Sequence, residues 1–203
     1  WRLLILGIVV ALVPQPPLAE TRQRKAPEPT EEDSLAPYMD KANDAIRALQ
    51  SGLVRALTGA IEEGGPESAI FVCRDEAQAI TAKVFEETGI RVGRTSHRLR
   101  NEVNVPREWA QPIVEESAGR KTSDVEPHVL DLGDRVGVLK PISTIALCTS
   151  CHGLPEEIAP EVKSSLDEAY PTDRAVAFSV GDLRGWMWAE VGKENDENAP
   201  LNW

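Results

Sequence analysis

The chain predicts an α+β domain with an antiparallel sheet. Three observations carry this. Apolar stripes of helical period come first, strand-like stretches come later, and most of those strands pair as hairpins around short turns.

In the first helix Ala42, Ile46, Leu49, Leu53, Ala56, Leu57 and Ala60 recur at steps of three and four, forming one apolar face that ends at Gly64 and Gly65. A second stripe, Ile70, Cys73, Ala77, Ile80 and Val84, closes at Gly89 and turns Cys73 toward the interior. Residues 89–96, GIRVGRTS, alternate as a strand. Residues 106–117 suit a short helix with Pro106 near its start, where the missing N–H costs nothing. Residues 128–142 predict two strands around a Gly133-Asp134 turn. Residues 156–169 suit a helix broken in part by Pro160, and residues 175–191 a final hairpin around Gly181-Asp182.

The 203 residues are enough for one domain with a real core, and 41% hydrophobic with 27% charged residues fits a soluble globular chain. A formal net charge of −11 argues against nucleic acid and anionic membrane surfaces as partners, since both recruit basic patches. Residues 1–19 carry Arg2, an apolar run from Leu3 to Val13 and a proline-rich break. The run is too short to span a bilayer, which takes about 20 residues, and predicts a secretory signal peptide, hence export to the periplasm with no stable membrane span after cleavage. Residues 20–37 are charged and proline-rich and predict a flexible linker. The folded unit is then 38–192, with 193–203 a polar tail.

Chemistry concentrates in Cys148-Thr149-Ser150-Cys151-His152, a C-x-x-C-H haem-attachment pattern. Two thioether bonds to the haem vinyl groups need sulfurs a short loop apart, and the next residue then offers its imidazole to the iron. Zinc competes, but a closed structural site wants four Cys or His ligands, usually as two pairs, and no second pair exists among Cys73, His97 and His128. A thioredoxin-like C-x-x-C opens a helix after a βαβ strand, whereas this motif lies late, beside hairpins. The prediction is one covalently bound haem c held by Cys148, Cys151 and His152.

The second axial ligand is open on the residues alone. Met187 follows the motif but falls inside a predicted strand, where it reads as an ordinary hairpin residue. Cys73 is either a small buried hydrophobe, as free cysteines often are, or a thiolate on the iron, which would account for an unpaired thiol in an oxidising compartment. His97, in RTSHRLRN, has arginines around it that suit haem propionates better than an iron ligand, and His128 opens a predicted strand.

The stretches FVCRDEAQAI, GRTSHRLRNEVNVPREW, LCTSCHG and YPTDRAVAFSVGDLRG occur in this order. Together they resemble a bacterial family of haem c-binding PAS-like domains, exported proteins or extracytoplasmic sensor modules, over roughly residues 40–190. Where family members commonly continue R-N-P, this chain has Glu102 after Asn101. The resemblance implies a PAS-like sheet flanked by helices and an axial pair of His152 and Cys73. It also implies that Arg94 and Arg98, with Asn101, contact the haem propionates or the loop around the haem. Structural hydrogen bonding inside the sheet is the other role open to these residues, and Arg184 has the same two readings.

Two strong protein ligands leave no vacant iron position, which disfavours enzyme chemistry, and no Ser–His–Asp pattern or phosphate loop is present. The expected function is a redox or diatomic-gas sensor, with a periplasmic electron-transfer cytochrome as the alternative. A redox partner or signalling protein would complete either role.

Overall fold

The computed structural model describes residues 31–193, so the predicted signal peptide, most of the linker and the tail beyond Lys193 lie outside it. Helix α1 (Glu31–Phe71) loses helical geometry at Gly64 and Gly65, the latter at φ 76°, a left-handed value that glycine adopts without steric cost. It is therefore two helices in succession, as the stripes predict, and Pro66 sits just past the break, where its missing N–H is harmless. The first helix already runs through residues 31–37, which composition assigns to the linker.

Past the break the second helix passes through one π-helical turn (Val72–Glu76) into α2 (Ala77–Thr88). The Ala77 N–H bonds back to the Val72 carbonyl, five residues earlier, which defines that turn. Gly89, at φ 68°, caps α2 by donating its N–H to the Phe85 carbonyl at 2.8 Å.

Four strands follow: β1 (Arg91–Thr95), β2 (His128–Asp131), β3 (Arg135–Ser143) and β4 (Leu183–Gly192). They form one antiparallel sheet in the order β1-β4-β3-β2. This is the α+β arrangement with an antiparallel sheet that the sequence predicts, and the PAS-like sheet that the resemblance implies. The β2–β3 hairpin turns at Gly133, φ 90°, as its sequence requires.

One sheet face buries Val92, Val136, Val138, Met187, Ala189 and Val191 against Ala42, Ala45, Ile46 and Leu49 of α1 and Val84 of α2. Met187 is thus a core residue. The other face packs Leu139, Leu183 and Trp186 against Ala110 and Val114 around α3 (Gln111–Glu116). That helix starts later than predicted, with Pro112 rather than Pro106 in its first turn, because residues 107–110 form a turn whose Arg107 carbonyl accepts the N–H groups of Ala110 and Gln111.

The C-x-x-C-H motif, late in the chain and beside hairpins, lies on a short helix, α4 (Ala146–His152). Two more elements depart from expectation. Pro160 begins α5 (Pro160–Ala169) instead of breaking it. The final hairpin is half there: β4 forms, but residues 175–180 are not a strand, because other partners take their backbone groups. Ala177 N–H bonds Gly153 O at 2.7 Å and Phe178 N–H bonds His152 O at 2.9 Å.

The GRTSHRLRN and GDLRG stretches are neighbours across β1 and β4. Ser96 Oγ donates to the Arg184 carbonyl at 2.7 Å, and a Cβ on Gly185 would stand 2.2 Å from the Thr95 carbonyl oxygen. That obstacle is backbone and cannot swing away. Gly185→Ala is expected to cost stability at the upper end of the about 1–3 kcal/mol typical of overpacking. Urea unfolding checks it, and a loss under about 0.5 kcal/mol, the range of ordinary surface changes, contradicts it.

Candidate cofactor site

The site is assembled by four segments at one end of the sheet: the π turn, α4, the loop after β1 and the loop between α5 and β4. On α4 Cys148 and Cys151 stand three residues apart, one helical turn, and so share a face. All three cysteines are free thiols and half-buried. Cys151 packs against a cluster of Ile70, Ile158, Val162, Leu166 and Tyr170. Ile70 is one turn before Cys73 on the same helix, which brings Cys73 to the motif. Burial pushes the Cys151 thiol up against the pull of Arg100, and Cys73 and Cys148 add to the rise. The four motif-bearing residues Cys73, Cys148, Cys151 and His152 thus come together.

His152 places Nδ1 2.6 Å from the Ala175 carbonyl oxygen. A carbonyl only accepts, so Nδ1–H donates and Nε2 keeps its lone pair, the state a metal-binding imidazole needs. Burial holds this imidazole well below the usual histidine range, Arg184, Arg100 and Arg94 lower it further, and only the Ala175 bond opposes them. Phe178 meets the ring edge-on at 6.4 Å between centroids.

Arginines surround these groups. Arg98 lies 3.9 Å over the Phe178 ring; its Nη1 donates to the carbonyls of Val176 at 2.6 Å and Ala177 at 3.3 Å, and its Nε donates to His97 Nε2 at 3.3 Å. Ala177 itself holds φ 59°, an uncommon value for a residue with a side chain. Arg94 points from β1 on the same sheet face as Met187, its register partner. Burial first, then Arg100 and Arg94, push the Arg184 guanidinium down to about 10. Among the described residues neither Arg94 nor Arg184 forms an ion pair, and the nearby Asp173 is bonded to Arg100 at 2.9 Å. Tyr170 adds a buried hydroxyl without a hydrogen-bond partner, its phenol pushed up to about 12 by burial and by Cys73.

The remaining candidates fall outside the cluster or beside it. Asn101 caps a 3-10 turn through its side chain, accepting the Val103 N–H at 3.1 Å. His97 meets Phe178 edge-on at 5.9 Å, its imidazole lowered by burial and by Arg98 and Arg184. His128 meets Trp186 at a tilt, 5.6 Å between ring centroids, on the sheet face away from α1. Sequence reasoning misses Arg100, Asp173 and Tyr170, although all lie within the quoted stretches, which was the available signal.

Chemically, the cluster offers two thiols for covalent attachment, an imidazole and a further thiol as metal donors, and cations without counter-charge for an anionic group. Among the described residues no group of three or more His, Cys, Asp or Glu is placed to hold a metal ion, so the cysteine pair has no closed zinc shell. Among the described residues no helix is long and apolar enough to cross a membrane.

A family model described as Tll0287-like matches residues 19–191. Among solved structures, the crystal structure of the cyanobacterial haem protein Tll0287 is similar, at a TM-score of 0.54 and 21% identity, covering 81% of this chain and 98% of that one. At that identity the likeness bears on the fold. No curated protein matches the chain.

Proposed function

This chain belongs to the Tll0287-like family, and on that premise we propose that it is an exported protein with one covalently bound haem c, serving as a redox or diatomic-gas sensor and not as an enzyme. The observation that carries the reading is the meeting of Cys73 with Cys148, Cys151 and His152 beneath arginines that lack counter-charge. Haem fits each part. Its propionates suit Arg94 and Arg184, and Tyr170 gains a neighbour for its buried hydroxyl. The solved relative's printed description as a haem protein supports the same group.

Each thiol of Cys148 and Cys151 would add across a vinyl group, its hydrogen going to the vinyl carbon, with no oxidant needed. His152 Nε2 and the Cys73 thiolate would both hold the iron. The bound group supplies a one-electron Fe(III)/Fe(II) couple. Thiolate ligation would favour the ferric state, and Cys73 would be held less firmly once the iron is reduced. Sensing is favoured over plain electron transfer because Cys73 stands on a π turn, a departure from the α-helix often found at functional sites. A redox or signalling protein in the periplasm would read the change.

Expression alongside a c-type haem maturation system tests the reading. The wild type is expected to retain haem after denaturation, and the Cys148→Ala/Cys151→Ala double variant to lose it completely. A wild type that carries no linked haem overturns the proposal. A reduced protein that stays six-coordinate and ignores CO would make it an electron carrier instead.

A further inference from the structure

Resting on the haem reading above, we propose that Arg100, held by Asp173, is a positioning residue that tunes the His152 imidazole and thereby raises the reduction potential of the iron. The Ala175 carbonyl receives two donors, His152 Nδ1 at 2.6 Å and Arg100 Nη2 at 3.3 Å. Arg100 Nε is bonded to Asp173 Oδ2 at 2.9 Å, with only 9% and 11% of the two side chains exposed. Asp173 Oδ1 in turn accepts the Ala175 N–H at 2.8 Å. One buried ion pair therefore fixes both ends of the residue that orients the imidazole. The same guanidinium nitrogen also donates to the Cys151 carbonyl, immediately before His152 in the chain.

Two effects follow, with the same sign. A partner that accepts the second ring proton of a metal-bound histidine makes the ligand more basic. Two donors on one oxygen compete for it, so Arg100 weakens the pull on Nδ1–H and keeps the imidazole a poorer electron donor. The guanidinium also offsets the buried Asp173 carboxylate, whose charge would otherwise favour Fe(III). Reduction adds one electron to the iron, and His152 keeps its Nδ1 proton in both states. Arg98, by contrast, directs Nη1 to the carbonyls of Val176 and Ala177 and Nε to His97.

Redox titration and proton NMR of the haem-loaded protein test this in Arg100→Met and Arg100→Lys. Arg100→Met is expected to shift the reduction equilibrium at least tenfold toward ferric, about 59 mV for one electron. Arg100→Lys, which keeps the charge and loses the planar fork, should recover part of that shift. The Nδ1–H resonance of His152 in the low-spin ferric state should move in both. Wild-type potentials and an unmoved resonance in the variants would overturn the proposal, and a lowered Tm alone would mark Arg100 as merely structural. If Arg100→Met fails to fold, Arg100→Lys decides by the same readouts. A chain that takes up no haem sinks the parent reading, whereas loaded variants with unchanged potentials sink only this one.

Discussion

Cys73→Ser is expected to erase the low-spin thiolate signature of the ferric protein while leaving haem attachment intact. The two effects separate because the cysteines of α4 would make the proposed covalent bonds, whereas Cys73 lies on another helix. A serine hydroxyl stays protonated at neutral pH and cannot replace a thiolate, which metal binding keeps deprotonated. With a strong donor gone, the spectrum should turn high-spin or water-ligated, and the potential should rise, since thiolate donation favours Fe(III). Ferric EPR reads this directly. Identical low-spin signals in wild type and variant would remove Cys73 from the iron. His97, already beside Phe178 and the arginines, would then be the first residue to examine.

The second large effect concerns stability and is independent of haem. Glu190, in β4, has a side chain only 2% exposed. Its Oε1 accepts from Trp109 Nε1 at 2.7 Å and Arg107 Nε at 2.9 Å, and Arg91 and Arg135 approach Oε2 at 3.9 and 3.8 Å. The carboxylate thus ties β1, β3 and the segment before α3 to β4. Glu190→Ala leaves these cations and an indole N–H without their acceptor. Removing one partner of a buried pair costs about 3–5 kcal/mol, and the lower end applies because Arg107 and Arg135, about two-fifths exposed, can turn toward water. Glu190→Gln keeps the shape and should lose less. Urea unfolding of the apo chain measures both, and a loss below about 1 kcal/mol for Glu190→Ala would show the network to be no more than a surface-grade contact.

The parts legible in the sequence are those governed by local rules. Gly64-Gly65, Gly89 and Gly133 mark the helix break, the α2 cap and the hairpin because each demands a backbone state seen in residue type alone. The helical stripes foretell the α1 face that packs on the sheet, and the C-x-x-C-H spacing singles out the two thiols and the imidazole that α4 carries together. What stays hidden is set by distant partners. Residues 175–180 alternate like a strand, yet His152, Gly153, Arg98 and Arg100 claim their backbone groups, and no periodicity encodes a bond that reaches back to residue 98. Arg100 and Asp173 stay hidden for the same reason: in one dimension they are two charges among many. The meeting of Cys73 with α4 came from family resemblance, since the residues alone left it open between ligand and core.

The π turn at Val72–Glu76 inserts one residue beyond α-helical count, and a residue is worth about 100° of rotation. The stripe Ile70, Cys73, Ala77, Ile80 and Val84, continuous on paper, is therefore out of phase with itself. Ile70, before the slip, packs with α5, and Val84, after it, packs with the sheet. Cys73 stands at the phase slip and belongs to neither core. A helix built this way serves two interiors at once and leaves at its seam, half-buried, the thiol proposed as an iron ligand.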